Sequence, residues 1–373
     1  MGSLLNFITL FTENNYPEWC IFGPATQKIY SEYSYTLYPN IKNNCKNYLI
    51  IEPTEGLDGL TKFIEKNNSI EFFNFCKENN INILIACIAD PPTEYNYNRL
   101  IKKLIELKIY ELCKFITTNI NINNTQTFSF NFFIEEYIKN KNMIFNQETD
   151  LGYISEEIKV DELTLFKNKK FLSLNKTIDK QHRYSLYHDY LTNDFSDSYF
   201  SFLQLEGGHC NPYQSNLYEF DFYLKKLPIE LDTNHNFNFR THNTFKKELF
   251  LDSCIHLVTE TSFHDNELFI SEKIMKPILN YQPFIVLGPH HYLKQIKKLG
   301  FKTFSDFWDE SYDYIQNPKE RYFQLSKLIL ELNKKSIGEL NEIYQEVKET
   351  CIFNKEHFYS LNKDEFSKYL NNL

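Results

Sequence analysis

At 373 residues, with 42% hydrophobic and 17% aromatic side chains, the chain is long enough for two ordinary domains and too apolar to be bulk-disordered. Its net charge of −9 comes without the basic stripe of a nucleic-acid binder, so nucleic acid is not an expected partner. The eight cysteines include no C-x-x-C pair, which argues against a zinc site and a disulfide framework, and no apolar run is long enough to span a bilayer.

The 34 Phe and 26 Tyr accompany a general excess of Asn, Ile and Lys, all with A/T-rich codons, and are read as core and surface filler. The N-terminus shows no basic stretch followed by an apolar one, so a soluble protein of a reducing compartment, the cytoplasm, is expected.

In chain order, Tyr48 to Ile51 reads as a strand and Leu60 to Asn79 as a helix. Ile83 to Ala89 is a buried strand ending at Asp90-Pro91-Pro92, and Asn98 to Lys108 is helical. This βαβα rhythm favours a parallel sheet covered on both faces. The Asn/Thr-rich stretch from Asn119 to Asn131 fits no element. Around Asn140 to Lys159 the pattern fades into polar residues, the best linker in the chain.

A second series follows, with strands at Lys170 to Leu174, Tyr199 to Leu203, Cys254 to Val258 and Pro283 to Leu287. Helices are expected at Lys180 to Leu191, Ser271 to Asn280 and His290 to Lys298, and residues after Pro318 read as helices without strands. The expected organisation is an N-terminal α/β domain over 1–150, a C-terminal α/β domain over 151–330 and a helical tail over 331–373. A tail stripe of Phe323, Leu325, Leu328, Ile329 and Leu332 needs a surface to cover, and the N-terminal domain is the expected one. Two Rossmann-like domains facing a cleft would bind ligand beyond their C-terminal strand ends.

With ten glycines the chain has neither G-x-G-x-x-G nor a P-loop, and it lacks H-E-x-x-H and G-x-S-x-G. One dense stretch remains. Leu257 to Ser262 reads as a buried strand ending in the carboxylate Glu260. Ser271-Glu272-Lys273 opens a helix, with Ser271 as its cap, and Gln282 to Gly288 is a second buried strand. A helix N-terminus there favours an anion. Lys273 opposes the helix dipole, which a bound diphosphate would explain; the plain alternative is a solvated lysine on a capped helix.

This stretch resembles the C-terminal signature of the family 10 glycosyltransferases, the α1,3-fucosyltransferase family. There, a strand ending in F-E-N-S is followed by a T-E-K helix and a P-V/I-x-x-G strand. The counterparts are Glu260-Thr261-Ser262, Ser271-Glu272-Lys273 and Pro283 to Gly288. The family's upstream S-N-C segment with a basic pair is similar to Leu172-Ser173-Leu174-Asn175 followed by His182-Arg183. The chain also resembles glycosyltransferase-like proteins of large DNA viruses and phages, which continue into stretches like Gly300 to Phe304 and Asp309 to Asp313. A viral origin would make the compartment the host cytoplasm. The likeness spans residues 165 to 320, and Thr261, Ser271 and His182 depart from the family's residues.

The resemblance implies a GT-B type fold and transfer of fucose or another hexose from a nucleotide-diphosphate sugar to a hydroxyl of a glycan or protein acceptor, with inversion and no metal or other cofactor. It further implies that Arg183 and Lys273 clamp the diphosphate, that Glu260 and Glu272 bind ribose or sugar hydroxyls, and that Asn175 and Ser262 shape the donor pocket. The base that takes the acceptor's proton is expected from the N-terminal domain. Candidates past strand ends are Glu52, Glu55 and Asp90, with Glu55 and Asp90 ranked level, and each could instead be a turn or capping residue. A cleft-facing Arg183 predicts an Ala variant that folds normally. Two other readings stand beside this one: an inactive nucleotide-sugar-binding scaffold, and a transferase acting on modified DNA bases.

Overall fold

The computed structural model describes residues 5–9, 35–37, 46–51, 56–65, 69–87, 92–122, 124–139, 145, 156–178, 180–204, 213, 227, 229, 231, 246–264, 267–361 and 365–372. The chain divides into two compact units. One comprises Met1–Phe132 with Asp364–Leu373, and the other Phe133–Lys363. Each is an α/β unit with a parallel sheet. By compactness the division falls at Phe132, ahead of the polar stretch read as the linker.

The first sheet holds β1 (Leu5–Thr9), β2 (Tyr35–Leu37), β3 (Lys46–Ile51), β4 (Asn82–Cys87), β5 (Cys113–Thr117) and β6 (Thr127–Ser129), in the order β2-β1-β3-β4-β5-β6. In β4, Ile83, Leu84, Ile85 and Ala86 are all at most 1% exposed, as both faces of a central parallel strand require. One helix was expected between β3 and β4. Two form, α1 (Gly56–Glu65) and α2 (Ser69–Glu78), and the sequence Lys66-Asn67-Asn68 between them offers no apolar residue.

Helix α3 (Glu94–Glu106) begins at Thr93, whose hydroxyl accepts from Asn96 N at 3.1 Å. It buries Tyr97, Leu100 and Leu104, spaced three and four apart, in the core beneath β3, β4 and β5. Arg99 reaches back to Asp58 on α1 at 2.8 Å and to Glu65 at 3.0 Å. Past β5, the buried Asn119 donates to Pro92 O at 2.9 Å, fastening the exit of one strand to that of its neighbour.

Helix α4 (Phe132–Lys139) opens at the division. The second sheet holds β7 (Lys169–Thr177), β8 (Tyr199–Gln204), β9 (Ser253–Thr259) and β10 (Phe284–Leu287), in the order β10-β9-β7-β8. Every residue of β9 is buried. Helix α5 (Gln181–Thr192) leads from β7 towards β8, and α6 (Lys247–Asp252) runs straight into β9. A 3-10 turn over Glu272–Ile274 and α7 (Met275–Leu279) connect β9 to β10, and α8 (Tyr292–Lys298) follows β10. From β7 the sheet grows one way to β8 and the other way to β9 and β10. The strand order therefore reverses between β7 and β9, and in open parallel sheets ligands bind beyond the C-terminal strand ends at such a point.

The tail is in two parts. Helices α9 (Pro318–Asn333) and α10 (Ile337–Ser360) belong to the second unit, whereas α11 (Glu365–Asn371) is grouped with the first. On α9, Tyr322 rather than Phe323 faces inward, and its hydroxyl meets Asp189 of α5 at 2.7 Å. On α10, the Asn341 side chain bridges the backbone of Lys167, accepting from its N–H and donating to its carbonyl, both at 2.8 Å. The Lys167 ammonium lies 4.1 Å from the Tyr344 ring centroid and donates to Leu251 O at 2.9 Å. In the first unit, Tyr369 of α11 stacks on Phe128 at 4.3 Å. No helix among the described residues is long and apolar enough to cross a membrane.

Candidate functional site

Residues 259–261, leaving β9 at the point where strand order reverses, gather most of the polar side chains singled out by the sequence. Glu260 follows the last residue of β9, and its N–H donates to Leu287 O at 2.9 Å, continuing the β9–β10 ladder. Its side chain is fully buried. One carboxylate oxygen accepts from the Tyr292 hydroxyl at the start of α8. The other accepts from Ser271 Oγ at 2.5 Å and from Thr261 N at 3.1 Å. Burial, and then the Glu260 charge it faces, raises the Tyr292 phenol well above its ordinary pKa, so it stays a donor.

Ser271 caps the turn that starts with Glu272, as its position in the sequence implies, accepting from Lys273 N at 3.3 Å. The helix behind it is shorter than expected, a single 3-10 turn leading into five α-helical residues. So short a segment has little dipole, and positive charge here comes mainly from the Lys273 side chain. The Lys273 ammonium folds back onto the loop, donating to Thr261 Oγ1 at 3.0 Å, Glu272 Oε1 at 3.0 Å and Ser271 Oγ at 3.3 Å. These acceptors give an unfavourably placed lysine a reason that needs no bound anion. Its side chain keeps 26% of its surface in solvent.

Arg183 approaches the same residues from α5. Nη2 donates to Glu260 O at 3.0 Å and Thr259 O at 3.4 Å, and Nη1 donates to Thr177 Oγ1 at the end of β7 at 3.3 Å. Its guanidinium thus spans the exits of β7 and β9. Arg183 is only 8% exposed on a helix that also buries His182, Tyr184, Ser185, Leu186, Tyr187 and Asp189. Arg183 is thus packed against protein carbonyls on an enclosed helix, where the sequence reading expects it to face the cleft.

His182 lies beside it, its Nε2 2.9 Å from the same Glu260 carbonyl and its ring stacked on Phe263 at 4.9 Å. Burial, followed by the Arg183 charge, pushes the imidazole well below its ordinary pKa. The neutral ring must therefore carry its proton on Nε2 to satisfy that carbonyl.

Asn175 is buried within the sheet. Its Oδ1 accepts from Thr259 Oγ1 at 2.5 Å and its Nδ2 donates to Ser173 Oγ at 3.0 Å, so it cross-links β7 to β9 near their C-terminal ends. Ser262 is also buried and donates to Glu267 Oε2 within the loop after β9. Glu272 is 8% exposed and paired with Lys273 at 3.0 Å. The structure thus brings Arg183, Glu260, Glu272 and Lys273 to one strand-end cluster, with Asn175 below it and Ser262 in the adjoining loop. Glu52, Glu55 and Asp90, the base candidates, lie outside the described residues. Among the described residues no group of three metal-ligating side chains comes together.

No family model matches the sequence, and no curated protein is similar to it. Among solved structures the chain is similar to the crystal structure of an alpha1,3-fucosyltransferase. The TM-score is 0.38 at 11% identity, with 87% of this chain and 80% of that chain covered.

Three residues in or around the cluster escape sequence reasoning. Tyr292 opens a helix after a glycine turn and reads as ordinary core. His182 reads only as a substitute for a second basic residue. Arg321, on α9, carries no local signal at all. It is buried, with Nε donating to Gly288 O at 3.2 Å and Nη1 to Ile315 O at 2.6 Å and Gln316 O at 2.9 Å, while Nη2 donates to Phe263 O.

Proposed function

We propose that the chain is a glycosyltransferase that moves fucose or another hexose from a nucleoside diphosphate sugar to a hydroxyl of a glycan or protein. The carrying observation is that Arg183 and Lys273, from different elements, are both anchored on residues 259–261 where the strand order reverses. Two cations at a strand-end crevice suit a diphosphate, and the part-exposed ammonium of Lys273 is the one that reaches it first. Glu272, its ion-pair partner, is freed by that exchange to accept hydrogen bonds from ribose or sugar hydroxyls.

In the reaction, the acceptor oxygen attacks the anomeric carbon as the bond from that carbon to the β-phosphate oxygen breaks. The configuration inverts and the nucleoside diphosphate leaves with its charge met by Lys273 and Arg183. The acceptor proton passes to a carboxylate base, for which Glu55 and Asp90 are the candidates.

A thermal-shift panel of nucleoside diphosphates and their sugars, followed by a transfer assay with and without EDTA, tests this. A stabilising nucleotide whose effect is lost in Lys273→Met, and transfer that survives chelation, are expected. Stabilisation that persists in Lys273→Met would remove the site, and loss of transfer in EDTA with rescue by manganese would overturn the mechanism.

A further inference from the structure

We propose that the Glu260 side chain is a positioning residue that sets the Lys273 ammonium and touches no ligand itself, an inference that rests on the reading of Lys273 as a diphosphate contact. The carboxylate is fully enclosed by protein donors: Tyr292 on one oxygen, Ser271 and Thr261 N on the other. A sugar or ribose hydroxyl could bond it only by displacing one of these.

The enclosure decides what surrounds Lys273. A serine hydroxyl has one proton. Ser271 gives its proton to Glu260 at 2.5 Å, so towards Lys273 its oxygen can only accept, and it lies 3.3 Å from both N and Nζ of that residue. Thr261, whose N–H is tied to the same carboxylate oxygen at 3.1 Å, presents the Oγ1 that accepts from Lys273 Nζ at 3.0 Å. Two of the three acceptors around the ammonium are thus oriented by one buried carboxylate, and the third, Glu272, neighbours Lys273 in sequence. Tyr292 closes the far side, so α8 after β10 and the turn before α7 meet on Glu260.

Without this carboxylate the Ser271 proton is free to turn towards Lys273, and the ammonium loses its fixed direction. Glu260 therefore acts through Lys273, where the sequence resemblance implies direct contact with hydroxyls.

The test has one readout that needs no nucleotide. Intact protein is treated briefly with acetic anhydride, and acylation of Lys273 is measured by mass spectrometry relative to the exposed Lys298. Glu260→Gln and Ser271→Ala should each raise the Lys273 ratio severalfold while the far-ultraviolet spectrum stays native. An unchanged ratio in folded Glu260→Gln would overturn the proposal, and if that variant does not fold, Glu260→Asp, which draws the carboxylate back from Ser271, decides by the same ratio.

The second readout is calorimetric affinity for whichever of ADP, GDP, UDP and CDP binds most tightly. Glu260→Gln should weaken it about tenfold in the wild-type background and hardly at all in Lys273→Met, because residues acting through one contact are not additive. Full additivity would mean direct contact with the ligand and would overturn the positioning role. If Lys273→Met binds nucleotide normally while the acylation ratios change as expected, the positioning stands and the proposed function falls. If Lys273→Met loses binding while the ratios do not move, the function stands and the positioning falls.

Discussion

The Arg321 guanidinium lies 4.6 Å from the ring centroid of Phe263 and donates to the carbonyl of that same residue. Phe263 in turn stacks on His182, which bonds the Glu260 carbonyl. One arginine of α9 thereby supports the loop after β9, and through Gly288 O the exit of β10 as well. Lysine keeps the charge but cannot reproduce the fork or the stacking. Arg321→Lys should leave buried carbonyls unpaired and lose about 3 kcal/mol or more of stability. Urea denaturation measures this, and a loss within experimental error would show that the fork is dispensable.

Arg183→Ala should also destabilise, by about 2–4 kcal/mol, because a buried guanidinium is removed from the Thr259 and Glu260 carbonyls. In the same variant nucleotide affinity should fall roughly ten- to a hundredfold, the equivalent of about 1.5–3 kcal/mol for a charge-assisted contact. Arg183→Lys should recover part of each. Measuring melting temperature and affinity together separates the two effects, and an unaltered melting temperature would contradict the packing of α5.

The buried His256, whose Nδ1 faces Gln282 Oε1 at 3.2 Å, has its pKa lowered to about 3, by burial first and then by the Lys276 charge. Its unfolded value is near the ordinary 6.5. A depressed histidine leaves the folded state binding fewer protons than the unfolded one, so stability falls as pH drops below about 6.5 and levels off only below about 3. Between pH 7 and pH 5 this one group should cost about 2 kcal/mol. His256→Gln should be less sensitive to that change by about the same amount. Parallel slopes for the two proteins in urea titrations at pH 7 and 5 would refute the assignment.

Gly300 adopts φ +95°, and a Cβ there would lie 2.4 Å from His357 Nε2 on α10. That nitrogen is 2.9 Å from Leu299 O, so the ring cannot step aside without breaking a hydrogen bond. Gly300→Ala should therefore lose about 2–4 kcal/mol, combining backbone strain with the clash. Adding His357→Ala should relieve the steric part alone. A neutral Gly300→Ala would mean that the turn can be rebuilt.

Several features were open to reading in one dimension because they rest on local periodicity and local chemistry. The continuous apolar run of β4, and that of β9 broken only by His256, announce parallel strands covered on both faces, and Ser271 announces a cap ahead of Glu272 and Lys273. By contrast, β5 and β6 pass unnoticed: Cys113–Thr117 carries a lysine at its second position, Thr127–Ser129 has one apolar residue, and pairing with neighbouring strands makes them strands. The single helix expected after β3 is instead two, Gly56–Glu65 and Ser69–Glu78, because apolar residues spaced for a helix on either side of Lys66-Asn67-Asn68 read as one pattern.

At the candidate site the sequence by itself determined the residue types: two cations and two carboxylates in segments that border strand ends. Only the tertiary structure decided their duties. Burial depends on which helix covers which strand, so nothing local to Arg183 marks α5 as enclosed. Hydrogen-bond partners such as Tyr292 for Glu260, or Arg321 for Phe263, lie 32 and 58 residues apart along the chain. No periodicity connects positions so distant, because the order of strands in the sheet, rather than spacing in the chain, sets which ends become neighbours.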